Sequence, residues 1–183
     1  MHFSDILTFW FHEIEPKRWW KKDKKFDELF GYRFLNIYYD AIKSKLKSRR
    51  ISEKGRLAEI IVIDKFPRNL FRDKPDAYYH DRLVIFLSKE LIHLKLHKKL
   101  NKNEKIFTFM PFMHSEIFED QIISLSLYSN LGVKENFTSA PKHFNIIRKF
   151  GRFPHRNKIL NRKSTEEELA FLTTQGSSFK CII

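Results

Sequence analysis

The sequence has 183 residues, 42% of them apolar, and a single cysteine, which suffices for one hydrophobic core and excludes both an internal disulfide framework and a thiolate zinc site. No run approaches the roughly 20 uninterrupted apolar residues of a membrane span, and the first fifteen residues lack the basic start and apolar run of a secretory signal. A membrane partner is therefore not expected, the cytoplasm is the expected location, and the net charge of +13 leaves an acidic partner such as RNA open.

In chain order, Ser4 is placed to cap a first helix through Phe11, with Asp5 suited to its positive end. Past Pro16 and a basic Trp-containing loop, Phe30, Phe34, Ile37, Tyr38, Ile42 and Leu46 recur at three- and four-residue spacing and predict a helix over 26–46. Ser52 opens the next helix, which carries Leu57, Ile60, Ile61 and Asp64. Pro67 is expected to stop it by removing a backbone donor. A long helix is predicted over 75–98, through Leu83, Phe86, Leu87, Leu91 and Leu94. Residues 106–113 are apolar almost all round, the mark of a buried segment. Helices follow over 118–131, stopped by Gly132, and 140–150, stopped by Gly151. The last opens at Ser164-Thr165-Glu166-Glu167-Glu168, which holds two overlapping capping-box patterns. With no convincing strand, the expected fold is all-α. It is a single domain over 1–183 of short-looped antiparallel helix hairpins, with a short tail from about 176 to 183.

The basic residues fall in four segments, 17–25, 43–50, 95–102 and 148–163, without forming one stripe with interleaved aromatics. RNA binding and a Lys-rich compositional drift both account for them.

Three polar segments sit at predicted helix ends. Asp64 lies three and four residues after Ile61 and Ile60, on the buried face, so it needs a proton or a cation. Arg68 and Arg72, with Asn69 between them, either pair with it structurally or face a ligand carboxylate or phosphate. Pro111 predicts a kink or break directly before His114, Ser115 and Glu116. There Ser115 can cap the next helix, while His114 or Glu116 are candidates for acid–base work. In Gly151-Arg152-Phe153-Pro154-His155-Arg156-Asn157, two arginines and a histidine offer an anion clamp, or simply pair with the C-terminus of the preceding helix. His143 lies one helix earlier. The segments 65–69 and 152–157 echo one another as Phe-Pro followed closely by Arg and Asn.

His114, Glu116, Asp120, His143 and His155 are acceptable metal ligands, but no tight ligand spacing occurs. Neither a metal nor a cofactor is expected. There is no Gly-rich phosphate loop, dinucleotide fingerprint or nucleophile elbow. Trp10, Trp19 and Trp20 read either as helix packing or, beside Arg18, as an aromatic wall.

The motifs Ile6-Leu7-Thr8-Phe9-Trp10-Phe11, Arg18-Trp19, Asp64-Lys65-Phe66-Pro67-Arg68-Asn69, Pro111-Phe112-Met113-His114-Ser115-Glu116 and Phe150 to Asn157 occur in that order. They are followed by Gly176-Ser177-Ser178-Phe179. The chain thereby resembles the bacterial domain-of-unknown-function family number 924 over essentially its whole length. The resemblance implies a tetratricopeptide-like arrangement of seven to nine helices and brings no established reaction or ligand. It departs at Lys65, where the family usually has Gln.

These motifs coincide with the polar break points rather than with apolar helix faces, which favours a shared ligand site over packing alone. The expected function is binding of a small anionic molecule or acidic peptide terminus, with Arg68, Arg72, Arg152 and Arg156 supplying charge. Asp64, Asn69, His114, Glu116, His155 and Asn157 would orient the ligand, and Trp10, Trp19 and Phe66 would form walls. A hydrolase or lyase using Asp64, His114 or Glu116, and an RNA-associated protein, are the alternatives.

Overall fold

Local capping decides most helix starts. The structure, a computed structural model, describes residues 2–20, 23–132 and 134–177, with the side chains of residue 24 and residues 134–138 excepted. The expected tail beyond Ser177, with Ser178, Phe179 and Cys181, lies outside the described residues. Helix α1 (Phe3–Thr8) is capped by His2 rather than Ser4. The His2 imidazole accepts from the Ser4 amide at 3.3 Å, and Asp5 accepts from the His2 amide at 2.7 Å. A ring nitrogen thus does the work assigned to the serine hydroxyl, and a π-helical turn (Phe9–Glu13) carries the chain past Phe11. Helix α2 (Lys24–Ile42) is capped by Asp23 and ends four residues before Leu46, since Ser44 adopts a left-handed backbone.

Helix α3 (Glu53–Leu70) is capped by Ser52, as its side chain suggests, but Pro67 does not stop it. Proline removes only the bond its own amide would have made. The Pro67 carbonyl still receives the Phe71 amide at 2.8 Å, and Phe66 and Pro67 are buried, so packing holds the last turn. The helix predicted over 75–98 is divided into a 3-10 turn (Pro75–Ala77), α4 (Asp81–His93) and a second 3-10 turn (Leu96–Lys99). The second break sits at Lys95, whose positive φ of 57° cannot continue a right-handed helix.

Helix α5 (Lys102–His114) opens with a capping box of Asn101 and Glu104 and runs through Pro111 to end at His114, so the expected break lies after His114 instead of before it. Helix α6 (Phe118–Leu131) stops at left-handed Gly132. Helix α7 (Lys134–Phe150) starts six residues earlier than predicted, tolerates Pro141 in its interior and stops at Gly151. Helix α8 (Glu166–Leu172) uses the second of the two capping boxes, Thr165 with Glu168. Among the described residues there are eight α-helices and no strand.

Helix α3 is the hub, packed against α1, α2, α4 and α5. Every residue from Leu57 to Pro67 is buried, so this stretch of the helix has no solvent face on which to place charge. Its apolar side chains meet an aromatic cluster: Phe66 lies edge-on to Phe30 at 4.1 Å between ring centroids, and Trp10 contacts Phe30, Phe66 and Phe107 at 5.5–6.2 Å. Its three buried charges each require a partner. Glu59 takes a bidentate pair from Arg50, both bonds 2.7 Å. Lys65 lies 5.0 Å from the centre of the Trp20 ring. Asp64 is answered by a larger cluster.

Candidate functional site

Asp64 is 1% exposed and sits in the C-terminal half of α3, nearly two turns before its end. Its Oδ1 is 2.8 Å from His114 Nδ1, at the end of α5, and 3.2 Å from Arg68 Nη1, one turn further along its own helix. Arg68 also donates to Asp81 Oδ1 at 2.9 Å. Asp81, the first residue of α4, receives Arg156 Nη1 on its other oxygen at 3.3 Å, and Arg156 Nη2 donates to the His114 carbonyl at 3.0 Å. The Arg156 guanidinium lies between the Tyr78 and Phe153 rings, at 4.6 and 4.5 Å from their centroids, and Arg68 approaches Tyr78 at 5.7 Å. Segments around Pro67, Pro111 and Pro154 thus meet in one connected network.

The turn carrying Arg156 is fastened by a second set of polar side chains. Glu116 accepts the Phe153 amide at 2.8 Å and a bidentate pair from Arg162 at 2.7 and 3.0 Å, which ties residues 153–162 to the α5–α6 junction. Arg152 gives Glu168 bonds of 2.6 and 2.8 Å, and Asn157 donates to Glu168 at 3.2 Å and to Ser164 at 3.0 Å. Phe153, Ile146 and Ile147 form a small core beneath it.

Burial would push the Asp64 carboxyl up, but Arg68, His114 and Lys65 hold it well below the usual carboxylate range. Being ionised, Asp64 accepts, so His114 Nδ1 carries the proton. Burial outweighs the Asp64 charge at His114 and lowers its pKa to about 4, leaving a neutral imidazole at pH 7. Its Nε2 has no partner among the described residues, is not among the buried polar atoms, and the side chain is 17% exposed, so that nitrogen opens to solvent. Two further histidines belong to the same neighbourhood. Burial, reinforced by nearby His114 and Arg156, lowers His143 to about 3. Burial and Arg156 lower His155 to about 4. Asp64 Oδ2 is buried with no hydrogen-bond partner.

Of the residues singled out in the sequence, Asp64, Arg68, His114 and Arg156 come together, with His155 electrostatically coupled to them. The others stand elsewhere. Arg72 is bound bidentately by Asp27 and also donates to Asn69, so neither faces the cluster. Arg152, Glu116 and Asn157 hold the 153–162 segment and are occupied in doing so. Trp10 and Phe66 are not walls of an open site: both are less than 2% exposed, inside the aromatic core. Trp19 packs edge-on against Phe107 and donates its Nε1 to the Trp10 carbonyl at 2.8 Å. Ser115 stands two residues before Ile117, the N-cap of α6: its hydroxyl accepts the Ile117 amide at 3.1 Å and donates to Asp120 at 2.8 Å.

Asp81 and Tyr78 were missed. Both fall inside the helix predicted over 75–98, where an acid and a tyrosine read as ordinary surface positions. The signal was the run Tyr78-Tyr79-His80-Asp81 just after Pro75, ring-bearing residues ahead of an acid suited to a helix N-terminus.

These features define an all-helical protein built around a buried Asp/His/Arg network where three helix-end segments meet. The chain belongs to the family of bacterial proteins of unknown function designated DUF924, whose pattern matches residues 6–176. A solved structure described as a protein of unknown function, ATU0120 from Agrobacterium tumefaciens, is similar: 33% identity, TM-score 0.89, covering 93% of this chain and 96% of that one. Among curated proteins none matches. No helix among the described residues is long and apolar enough to cross a membrane.

Proposed function

We propose that this chain binds a small anionic ligand, a carboxylate or a phosphate, at the Arg68–Arg156 pair. The observation that carries this is the convergence of both guanidiniums on the single carboxylate of Asp81. Two planar donors from distant parts of the chain form the geometry that recognises a carboxylate or phosphate. Asp81, with a side chain 21% exposed, occupies the position an incoming anion would take. Neutral His114 adds a polar nitrogen at the rim. The same reading takes the helices as tetratricopeptide-like hairpins, supported by α3 touching α1, α2, α4 and α5, and α5 touching α3, α4, α6 and α7.

Thermal shift with inorganic phosphate and a series of mono- and dicarboxylates tests the proposal. Stabilisation of the wild type that is lost in Arg68→Ala and Arg156→Ala is the expected result. Because either variant removes a buried cation, Asp81→Asn provides the decisive arm: it frees both guanidiniums and should tighten anion binding. Equal or weaker binding by Asp81→Asn would overturn the reading.

A second reading is favoured by one observation, the Asp64–His114 pair with His114 Nε2 open to solvent. Asp64 would fix the tautomer, and Nε2 would take a proton from a substrate or water. Its pKa near 4 lies well below neutral pH, which makes His114 a weak base and places this reading second. Glu116 is withdrawn from acid–base work by its bidentate bond to Arg162. Loss of an ester- or phosphoester-cleaving activity in His114→Gln, with folding intact, would support this reading. Unchanged activity would remove it.

A further inference from the structure

Across the 75–81 turn from the arginines lies a cleft of about 230 Å³, walled by Tyr38 and Tyr39 of α2, Phe71 after α3, and Tyr79 and His80 of the turn, with Asp76 at its edge. Tyr38 is its hub: Tyr39 and Phe71 each stand 5.6 Å from it at 56°, and His80 stands at 6.1 Å and 68°. Tyr79 meets His80 at 5.1 Å and 75°. These tilted contacts hold the rings in place around the cleft, with Tyr39 and Tyr79 exposed at its mouth.

Three observations fix what fits it. First, Asp76 has no side-chain hydrogen bond or ion pair among the described residues. Asp76 is exposed, so its carboxylate is open to an incoming cation. Second, no Lys or Arg of the described chain lies over these rings. The chain's own cation–π contacts are made at other aromatics, including Phe9, Trp20, Tyr78, Phe144 and Phe150. Third, burial keeps the His80 imidazole below its ordinary pKa despite Asp81 and Asp76, so at neutral pH it adds a neutral ring and no repelling charge. The volume is under the roughly 300 Å³ at which drug-sized pockets begin, the scale of a head group.

We infer that the Tyr38–Tyr39–Phe71–Tyr79–His80 cleft with Asp76 is a binding site for a small organic cation carrying a quaternary or fully alkylated ammonium group. The ring faces attract the diffuse charge, the methyl groups fill the space between the rings without demanding hydrogen bonds, and Asp76 supplies the counter-charge at the open side. A primary ammonium gains less, because it is a compact, strongly hydrated charge that gives up more water on entering. This site uses none of the residues of the proposed anion site.

The test is calorimetric titration of the full chain with choline and tetramethylammonium, against 3,3-dimethylbutanol, the uncharged analogue of choline. Both cations should bind, and the uncharged analogue should bind about tenfold more weakly. Asp76→Asn and Tyr79→Ala, both at exposed positions and so without effect on folding, should each weaken choline by about fivefold or more. Inorganic phosphate, the probe of the anion site, should leave choline binding unchanged, which separates failure here from failure of the anion reading. Equal binding of the neutral analogue, or no binding of either cation, overturns the assignment. Tighter capture of a trimethyllysine peptide than of choline overturns the choice of a free small molecule as occupant.

Discussion

Asp64 concentrates the energetics of the site in one side chain. A carboxylate 1% exposed is tolerable only while His114 and Arg68 remain on it, and they in turn are buried only because it is charged. Replacing it with Asn keeps the shape and removes the charge. Arg68 then keeps Asp81 alone, and His114 loses the acceptor that fixes its tautomer. We expect Asp64→Asn to lower unfolding free energy by about 3–5 kcal/mol, the range for breaking one side of a buried pair, as read by urea denaturation at pH 7. A loss under about 1 kcal/mol, typical of an exposed pair, would show that the cluster is solvated. At this scale much was legible. The spacing of Asp64 after Ile60 and Ile61 required burial and a cation, and Arg68 was the nearest one. The identity of the other partners was not legible: His114 is 50 residues away and Asp81 17, and no local rule encodes which distant side chain completes a pair.

Among the secondary-structure elements, prolines were over-read, whereas the stops at Gly132 and Gly151 were read correctly. Pro67, Pro111 and Pro141 all lie inside helices, because tertiary packing around a buried segment outweighs the loss of one backbone bond. That error has a functional side. The break expected before His114 falls after it, so His114 is held at the last turn of a continuous α5 rather than on a loose loop.

Gly55, in the first turn of α3, escaped notice entirely. A β-carbon there would stand 1.9 Å from the Arg49 carbonyl oxygen, since the 3-10 turn (Lys47–Ile51) crosses directly over the helix start. The same crossing lets Arg50 reach Glu59. Alanine is the better helix former by about 1 kcal/mol, so helix propensity alone predicts stabilisation by Gly55→Ala. The backbone clash predicts the reverse, an overpacking cost of about 1–3 kcal/mol that outweighs the gain. Denaturation of this one variant decides between them.

For the molecule as a whole, the buried histidines make stability a function of pH. In the folded chain His114 titrates at about 4, His143 at about 3 and His155 at about 4, against about 6.5 for an unperturbed imidazole. Burial lowers His80 and His97 in the same direction. Each folded pKa lies below the unfolded one, so the unfolded chain binds protons first as pH falls. Stability therefore rises with pH between about 4 and 6.5 and levels off above that window. Asp64 adds nothing to this slope. Its folded pKa is depressed, so its contribution is complete above the unfolded carboxyl range near 4 and is lost only below it.

The interval from pH 6.5 to 5 thus isolates the histidines, each contributing a slope that approaches about 1.4 kcal/mol per pH unit. Urea midpoints measured at half-unit steps should fall steadily across that interval and stay nearly flat from 7 to 8. His155→Gln removes one titrating group and should flatten the fall without abolishing it. A midpoint that does not move between pH 6.5 and 5 would mean that the three imidazoles titrate as in solvent. Burial would then not be what sets the charge of the polar cluster where α3, α5 and the 153–156 turn meet.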